Sequence, residues 1–562
     1  MSPNDARDSN ESGSARAEPR QFFGHPPGLF PLFFTEMWER FSFYLMISLL
    51  ALYLTKYLGY GEATASDVTT WYLSLVYFTP FLGGLIADRL IGYSRAILAG
   101  GLLMMAGHIV LALDHRDSAL LGIRNPFLFA ALGLLIAGNG LFKPNISTLV
   151  GNLYAKGDPR RDRGFTIFYM GINLGAFVAP IAANKLRTKS VAVLRDVAGL
   201  SLSDDAGWHI AFGSAGVGML LSLLVFATFR SRFGKGRAGD DAVEHVTALG
   251  GAELVESETD VRTDRLVRFG QNFNMIAVAL ALAWLLGGPL IDARLGTHLA
   301  VSVVTFGLIW LAIEAATVLI FLAAGGTVGA NAAKLKAVFV VIAIFWMAFH
   351  QNSVTLTFFA EGHTQPVSAD ATLMGTPPPN VVDRVVLWPV QQLTDAETYQ
   401  SINPLLILAF SPLMVLLWSS LDRKGLQPSS TTKMAMGMVV AGLAYVVMFG
   451  AGRSGGDTGR VGPGWLIACY ALLTVAELWV SPIGLSLTSK LAPSRYRGLW
   501  MGFWFMATAV GNKLVHVTGR LWNEYPPSQL FLILVISSFA AAAVLVVLLT
   551  LLRWLGPPST PD

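Results

Sequence analysis

FFTEMWERFSFYLMISLLALYL, residues 33–54, sets three charges inside an apolar run long enough to cross a bilayer. Each of Glu36, Glu39 and Arg40 would cost roughly 2.5–3.5 kcal/mol at the centre of a membrane helix. They are spaced i, i+3, i+4, so a helix puts all three on one face, continued by Phe43 and Ile47 with Tyr44 at its edge. That face must look into protein or a watery cavity. An acid–acid–base cluster in such a place can hold, share or release a proton, which points to ion-linked transport.

Working outward, the chain has 562 residues, 53% hydrophobic and only 14% charged. Soluble domains carry about 25% charged residues. Apolar runs recur along nearly the whole length, which sets the class as an all-α polytopic membrane protein. The lone cysteine, Cys469, excludes an intramolecular disulfide. Residues 1–25 are polar, lack the apolar core of a signal peptide and read as a disordered cytoplasmic tail.

Helices are expected near 29–57, 67–87, 95–114, 126–153, 164–186, 208–229, 271–290, 298–324, 335–361, 399–420, 432–451, 464–491, 497–521 and 529–554, fourteen in all. Arg89 and Arg95, Lys156 to Arg163, Arg230 to Arg237, Lys334 and Lys336, Arg423 to Lys433 and Lys490 to Arg497 supply base to loops of one parity. By the positive-inside rule those loops and both termini are cytoplasmic. Lys185, Arg187, Lys189 and Arg195 fall outside, mixed there with Asp196, Asp204 and Asp205. The expected plan is a six-helix bundle over 26–229, a polar linker over 230–270, two inserted helices over 271–325 and a second six-helix bundle over 326–556. An irregular external loop, 363–398, contains TPPPN, and residues 557–562 are a tail. Asp88-Arg89 and Asp422-Arg423 close the second helix of each half, as a parallel repeat would have it.

Four further stretches carry chemistry. GGLIADRLIGYSR (83–95) combines small residues for close helix approach, Gly84 and Gly92, with Asp88, Arg89 and Arg95, a set suited to a cytoplasmic gate. GLFKPNISTLVG (140–151) buries Lys143 beside Pro144, which frees the carbonyl of Gly140 and kinks the helix. Asn403-Pro404 and Ser481-Pro482 repeat that pairing of a polar residue with a proline, and irregular helix at membrane depth belongs beside a cavity. Glu477 sits mid-span in ALLTVAELWVSPIGLS, where it cannot snorkel and should pair or bind a cation. His350, in FVVIAIFWMAFHQNSVTLTFFAE, can titrate near neutral pH or serve as a hydrogen-bonding group of the bundle. Tyr77, Tyr169, Trp346 and Trp504 neighbour these polar positions or match the family described next.

EMWERFSFY resembles the proton-dependent oligopeptide transporter family of the major facilitator superfamily. GLFKPNIS, FYMGINLGAFVAP, QSINPLLILAFSP, AELWVSPIGLS and RGLWMGFWFMATAVGN match that family in order over nearly the whole chain, and GGLIADRLIGYSR resembles the superfamily's loop motif. The resemblance implies the major facilitator fold: two six-helix bundles plus two inserted helices. It implies proton coupling by Glu36, Glu39 and Arg40 together with Lys143, and Arg40 and Lys143 at the carboxylate end of a peptide; Glu477 and His350 are further candidates to carry the proton. It implies Glu477 and Asn403 at the amino end, and Tyr44, Tyr77, Asn173, Trp346, Ser481 and Trp504 as cavity positions. The charge logic agrees independently, since a zwitterion needs a basic wall opposite an acidic one. Many relatives carry an arginine where this chain has Ile47 and an acid where it has His350. Those two positions pair across the bundles as an external gate, so here the gate must close by other contacts.

The expectation is a proton-coupled symporter of di- and tripeptides that works by alternating access, acts as a monomer and spans the plasma (inner) membrane. Its partners are small peptide, protons and lipid, with no nucleic acid, cofactor or metal; the nine histidines are scattered. It is not an enzyme. Alternatives are transport of another small anion or a modified amino acid, since the family's plant nitrate transporters use a histidine near the place of His350, or a peptide receptor that does not cycle.

Overall fold

The computed structural model describes residues 23–114, 119–120, 123–154, 160–233, 265–266, 269–270, 272–273, 299–365, 395–492 and 497–555. The chain is almost wholly helical there. Helix α1 (Leu29–Leu52) runs on as a π turn, Tyr53–Tyr57, and α2 (Glu62–Ile86) as another, Ala87–Ile91. Then follow α3 (Tyr93–Ala112), α4 (Pro126–Asn152), α5 (Arg160–Ala198), α6 (Ala206–Phe229) and α7 (Leu299–Ala324). Next come α8 (Gly326–Phe349), a 3-10 turn His350–Ser353, α9 (Thr355–His363) and a 3-10 turn Ala396–Ser401. The chain ends with α10 (Ile402–Arg423), α11 (Ser430–Ser454), α12 (Gly464–Leu491), α13 (Arg497–Leu521) and α14 (Pro527–Leu555). Two short strands, Ala119–Leu120 and Ile123–Arg124, pair antiparallel between α3 and α4.

The architecture is that of a major facilitator. In the first bundle α3 packs on α4, α1 on α5 and α6, and α2 on α4; in the second α11 packs on α12 and α14, and α8 on α13 and α14. The halves meet where α2 lies along α13 and where α5 meets α10. Ten helical spans of the described chain are long and apolar enough to cross a membrane. Helices α2 and α13 fall short of that apolarity, because their polar faces meet each other rather than lipid.

Bilayer helices gain little hydrophobic energy by pairing, so they associate through close van der Waals packing at small residues. A Cβ on Gly83 of α2 would run into the carbonyl of Gly140 on α4, and one on Gly100 of α3 would come within 2.6 Å of the Gly138 carbonyl oxygen. The glycines of α2 and α4 thereby set the crossing that carries Lys143.

Three expectations are corrected. Helix α5 does not stop near 186 but continues to Ala198, because Lys185 to Arg195 form a polar helical stretch that needs no lipid cover. The helix expected over 335–361 is broken at His350–Ser353, with Val354 at φ −135°, ψ −88°. Pro404 does not interrupt a helix; it lies in the first turn of α10, where its missing N–H costs nothing. The run at 271–290 and most of the linker, external loop and both tails lie outside the described residues. His25 is buried, with Nδ1 2.9 Å from the Tyr154 hydroxyl.

Gly83→Ala is expected to destabilise the protein by about 1–3 kcal/mol through overpacking of the α2–α4 crossing. Gly133→Ala on α4, where a Cβ would meet nothing within 4 Å, is expected to be neutral or stabilising. Thermal unfolding in detergent distinguishes the two.

Candidate functional site

The α1 cluster is closed on itself. Glu36, Glu39 and Arg40 are all buried. Arg40 grips Glu39 with a two-pronged contact through Nε and Nη2 and stands 3.6 Å from Glu36 Oε1. Its Nη2 also donates to Asn139 Oδ1 on α4 at 3.0 Å, while Asn139 Nδ2 donates to the Val76 carbonyl on α2 at 3.0 Å. The guanidinium lies 4.4 Å from the Phe43 ring centroid. Glu36 Oε2 has no hydrogen-bond partner. Asn139 was not singled out from the sequence, yet it was legible: a lone amide in the apolar run of α4, one helical turn before Lys143.

Lys143 makes no ion pair among the described residues. Its ammonium lies 4.7 Å from the centre of the Tyr77 ring, where the π face replaces part of its lost hydration. Tyr77 also meets His350 at 5.6 Å. His350 stacks on Trp346 at 4.9 Å and 18°, abuts Phe349, and leaves Nδ1 unpartnered. The break after α8 therefore falls at the side chain where the two bundles face each other.

The acidic pole lies in the second bundle. Asn403 Nδ2 donates to Glu477 Oε2 at 2.8 Å and to Thr474 Oγ1 at 3.0 Å, tying α10 to α12. Ser481 lies one turn beyond Glu477 on the same helix. Tyr44 and Tyr77 lie within electrostatic range of both Arg40 and Glu477, and Tyr169 within range of Glu477. Tyr44 and Tyr77 therefore stand near both the basic residue of α1 and the acidic residue of α12. Asn173 Nδ2 is held by the Tyr169 carbonyl at 2.9 Å. Trp346 is buried with its indole N–H unpartnered. Trp504 packs inside the second bundle against Gly484 and Phe339 in this conformation.

At the end of the first bundle's loop motif, Gly92 has φ 76°, a left-handed conformation that joins the π turn to α3. Gly84 approaches Pro144 of α4, and Arg95 is exposed. The side chains of Asp88 and Arg89 lie outside the described residues.

The halves are latched at the end opposite Leu29 of α1 and Leu555 of α14. Arg187 of α5 donates from Nε and Nη2 to Glu397 Oε1 at 2.9 and 2.6 Å, with its guanidinium 4.9 Å from the Trp208 ring centroid. Asn184 donates to Asp395 at 2.5 Å and to Glu397 at 3.3 Å. Lys56, after α1, pairs with Glu361 of α9. Asp67 of α2 takes Arg520 of α13 at 2.7 Å and also pairs with the buried His516. Ile47 is buried and uncharged. None of these latch residues was singled out as functional. The weak signal was positional, since each lies at the matching end of a helix.

Residues 94–253 and 392–531 match the POT family. The chain is 34% identical over 519 residues to "Peptide transporter YePEPT" of Yersinia enterocolitica, covering 89% of this chain and 88% of the relative. It is 30% identical over 505 residues to "Di-/tripeptide transporter" of Lactococcus lactis, covering 88% and 89%. Among solved structures it resembles a peptide transporter POT in complex with sulfate, with a TM-score of 0.68, 31% identity and coverage of 96% of both chains. The chain belongs to the POT family.

Arg187→Met leaves the fully buried Glu397 without its cation and is expected to cost about 3–5 kcal/mol of stability. Adding Glu397→Gln is expected to recover much of that loss. Thermal unfolding of the two single variants and the double variant measures the coupling.

Proposed function

We propose that this POT-family chain is a proton-coupled symporter of di- and tripeptides, working by alternating access as a monomer in the plasma (inner) membrane with both termini cytoplasmic. The observation that carries this reading is the pair of separate, oppositely charged poles. Arg40 and Lys143 lie in the first bundle, and Glu477 with Asn403 in the second. A peptide zwitterion offers a carboxylate to one and an ammonium to the other, so it bridges the halves.

The same geometry supplies coupling. Arg40 is already occupied by Glu39 and approached by Glu36. A peptide carboxylate that takes Arg40 must displace one of them. A buried carboxylate without its cation is neutralised most cheaply by taking a proton. Peptide and proton then enter together, and on the cytoplasmic side their release restores the internal ion pair. With the termini cytoplasmic, the structure corresponds to the externally closed state: the Arg187–Glu397, Lys56–Glu361 and Asp67–His516–Arg520 contacts take over the closure that an arginine at Ile47 would otherwise share. Asn403 lies two residues beyond the 3-10 turn containing Glu397, so the outer latch and the ammonium pole share one short segment of backbone. The residues bind and move protons, and no covalent step is needed.

In proteoliposomes with an imposed inward proton gradient, labelled dialanine is expected to accumulate, and a protonophore to abolish accumulation. Peptide binding without accumulation would instead indicate a receptor, and competition by nitrate but not peptide an anion carrier. Glu477→Gln is expected to weaken peptide binding about 10- to 100-fold, the value of a charge-assisted hydrogen bond. Glu39→Gln is expected to abolish gradient-driven uptake while sparing peptide exchange. Full gradient-driven uptake in that variant would remove Glu39 from coupling. A changed pH profile in His350→Gln would add His350 to the proton route, and an unchanged one would assign it to packing.

A further inference from the structure

Helix α7 lies outside the two bundles and contains a single charged residue, Glu314. Glu314 is only 4% exposed, and its Oε2 stands 2.6 Å from Nζ of Lys336 on α8, itself 2% exposed. Lys336 reaches onward to α13, with its ammonium 5.1 Å from the Phe503 ring centroid and 5.7 Å from that of Phe339. Phe321 of α7 meets Trp500 of α13 at 5.6 Å, and Trp500 in turn meets Phe339 and Phe503. Next to Phe503, Gly502 faces α2 so closely that a Cβ there would come within 2.6 Å of Phe81. A continuous stack therefore runs from α7 through α8 and α13 to the other half of the molecule.

The link between α7 and α8 is equally tight. Gly325 and Gly326 turn the chain with φ 71° and 63°, and Gly329 packs against the Phe321 carbonyl. The opposite side of α7 exposes Leu308, Ile309, Leu311 and Leu319.

We propose that α7 is a fixed brace of the second bundle, and that Glu314 and Lys336 are positioning residues for turnover because their buried ion pair holds α13 from behind where it packs on α2. This rests on the transport reading above. An apolar helix in lipid has no hydrophobic reason to stay docked on its neighbour. The ion pair supplies one, since α7 cannot slide off α8 without leaving two charges unpaired in hydrocarbon. The second bundle and α7 therefore move as one body. Loss of the pair lets α13 lean away from the seam, which slows the change of access without altering the peptide poles.

The test uses the full-length chain in proteoliposomes. Glu314→Gln and Lys336→Met are each expected to lower the maximal rate of dialanine uptake at least fivefold, with KM within twofold of the parent. The exchanged pair Glu314→Lys/Lys336→Glu is expected to recover at least half the rate, which separates pairing from loss of folding. Wild-type rates in both single variants, or a change confined to KM, would overturn the proposal.

A second readout does not depend on uptake. With Cys469→Ala as background and the Glu314–Lys336 pair kept, Phe321→Cys/Trp500→Cys, at the 5.6 Å contact of α7 with α13, is bridged by a short bifunctional thiol reagent at one fixed pH. The yield is expected to be the same with and without dialanine. The corresponding yield for Arg187→Cys/Glu397→Cys at the outer latch is expected to vary. A variable α7–α13 yield, or a bridge that abolishes the remaining uptake, would overturn the brace. If the parent chain accumulates no peptide while the α7–α13 yield stays constant, the transport reading fails and the fixed docking of α7 stands.

Discussion

Everything in the centre of this molecule depends on the charge of Arg40 being compensated by Glu39 and Glu36. A guanidinium buried at membrane depth is tolerable only with its charge compensated and its donors satisfied. Here Glu39 takes two donors, Asn139 takes one of them in a shared contact, and Glu36 approaches at 3.6 Å. That arrangement is stable without substrate, yet its parts are interchangeable, since a peptide carboxylate has the same planar two-oxygen shape as Glu39. In the proposed reading the site is poised between this internal ion pair and one with a peptide carboxylate, and a proton accounts for the difference in charge.

The same constraint explains why the two poles are built unlike each other. Glu477 is fixed by a neutral amide, Asn403, and no cation among the described residues pairs with it, so in the proposed reading it is open to a peptide ammonium. Lys143 is likewise left without a carboxylate and rests against the Tyr77 ring. Charges left this way attract a zwitterion more strongly than they attract a neutral ligand, and a nitrate ion would satisfy only one pole. The tyrosines between the poles, Tyr44, Tyr77 and Tyr169, keep the cavity polar without adding a competing charge.

Much of this was legible in the sequence because the bilayer makes charge expensive. Glu36, Glu39, Arg40, Lys143 and Glu477 stand out in apolar runs, and most helices follow from those runs to within a few residues, the exceptions being α5, which runs on to Ala198, and α8, which begins at Gly326 rather than near 335 and ends at Phe349. What could not be read was mostly long-range or confined to the helix ends. Asn139 was legible as an amide in the apolar run of α4, but its reach to Arg40 on α1 and to Val76 on α2 is not encoded by spacing along α4. The extension of α5 to Ala198 was hidden because Lys185 to Arg195 have no apolar run to announce a helix. The contacts of Asp67 with His516 and Arg520 join residues about 450 positions apart. The break at His350–Ser353 has neither proline nor glycine to mark it, and arises where the helix turns around the seam between the halves.

In the proposed reading the outer contacts do at the rim what an arginine at position 47 would do at the centre. An arginine at position 47 would require a buried acid opposite, and this chain has His350 in that region, stacked on Trp346 with no carboxylate paired to it. Removing both charges avoids a stranded ion but leaves the centre of the seam without an electrostatic tie. The compensation lies farther out, where α5 and α10 meet through Arg187 and Glu397 and where α2 and α13 meet through Asp67, His516 and Arg520. Ties at the rim act with a longer lever arm than ties at the centre when two bundles rock, so a pair of equal strength resists opening more effectively there. At the centre Tyr77, Trp346 and His350 meet as an aromatic cluster, on which in the proposed reading a peptide side chain rests.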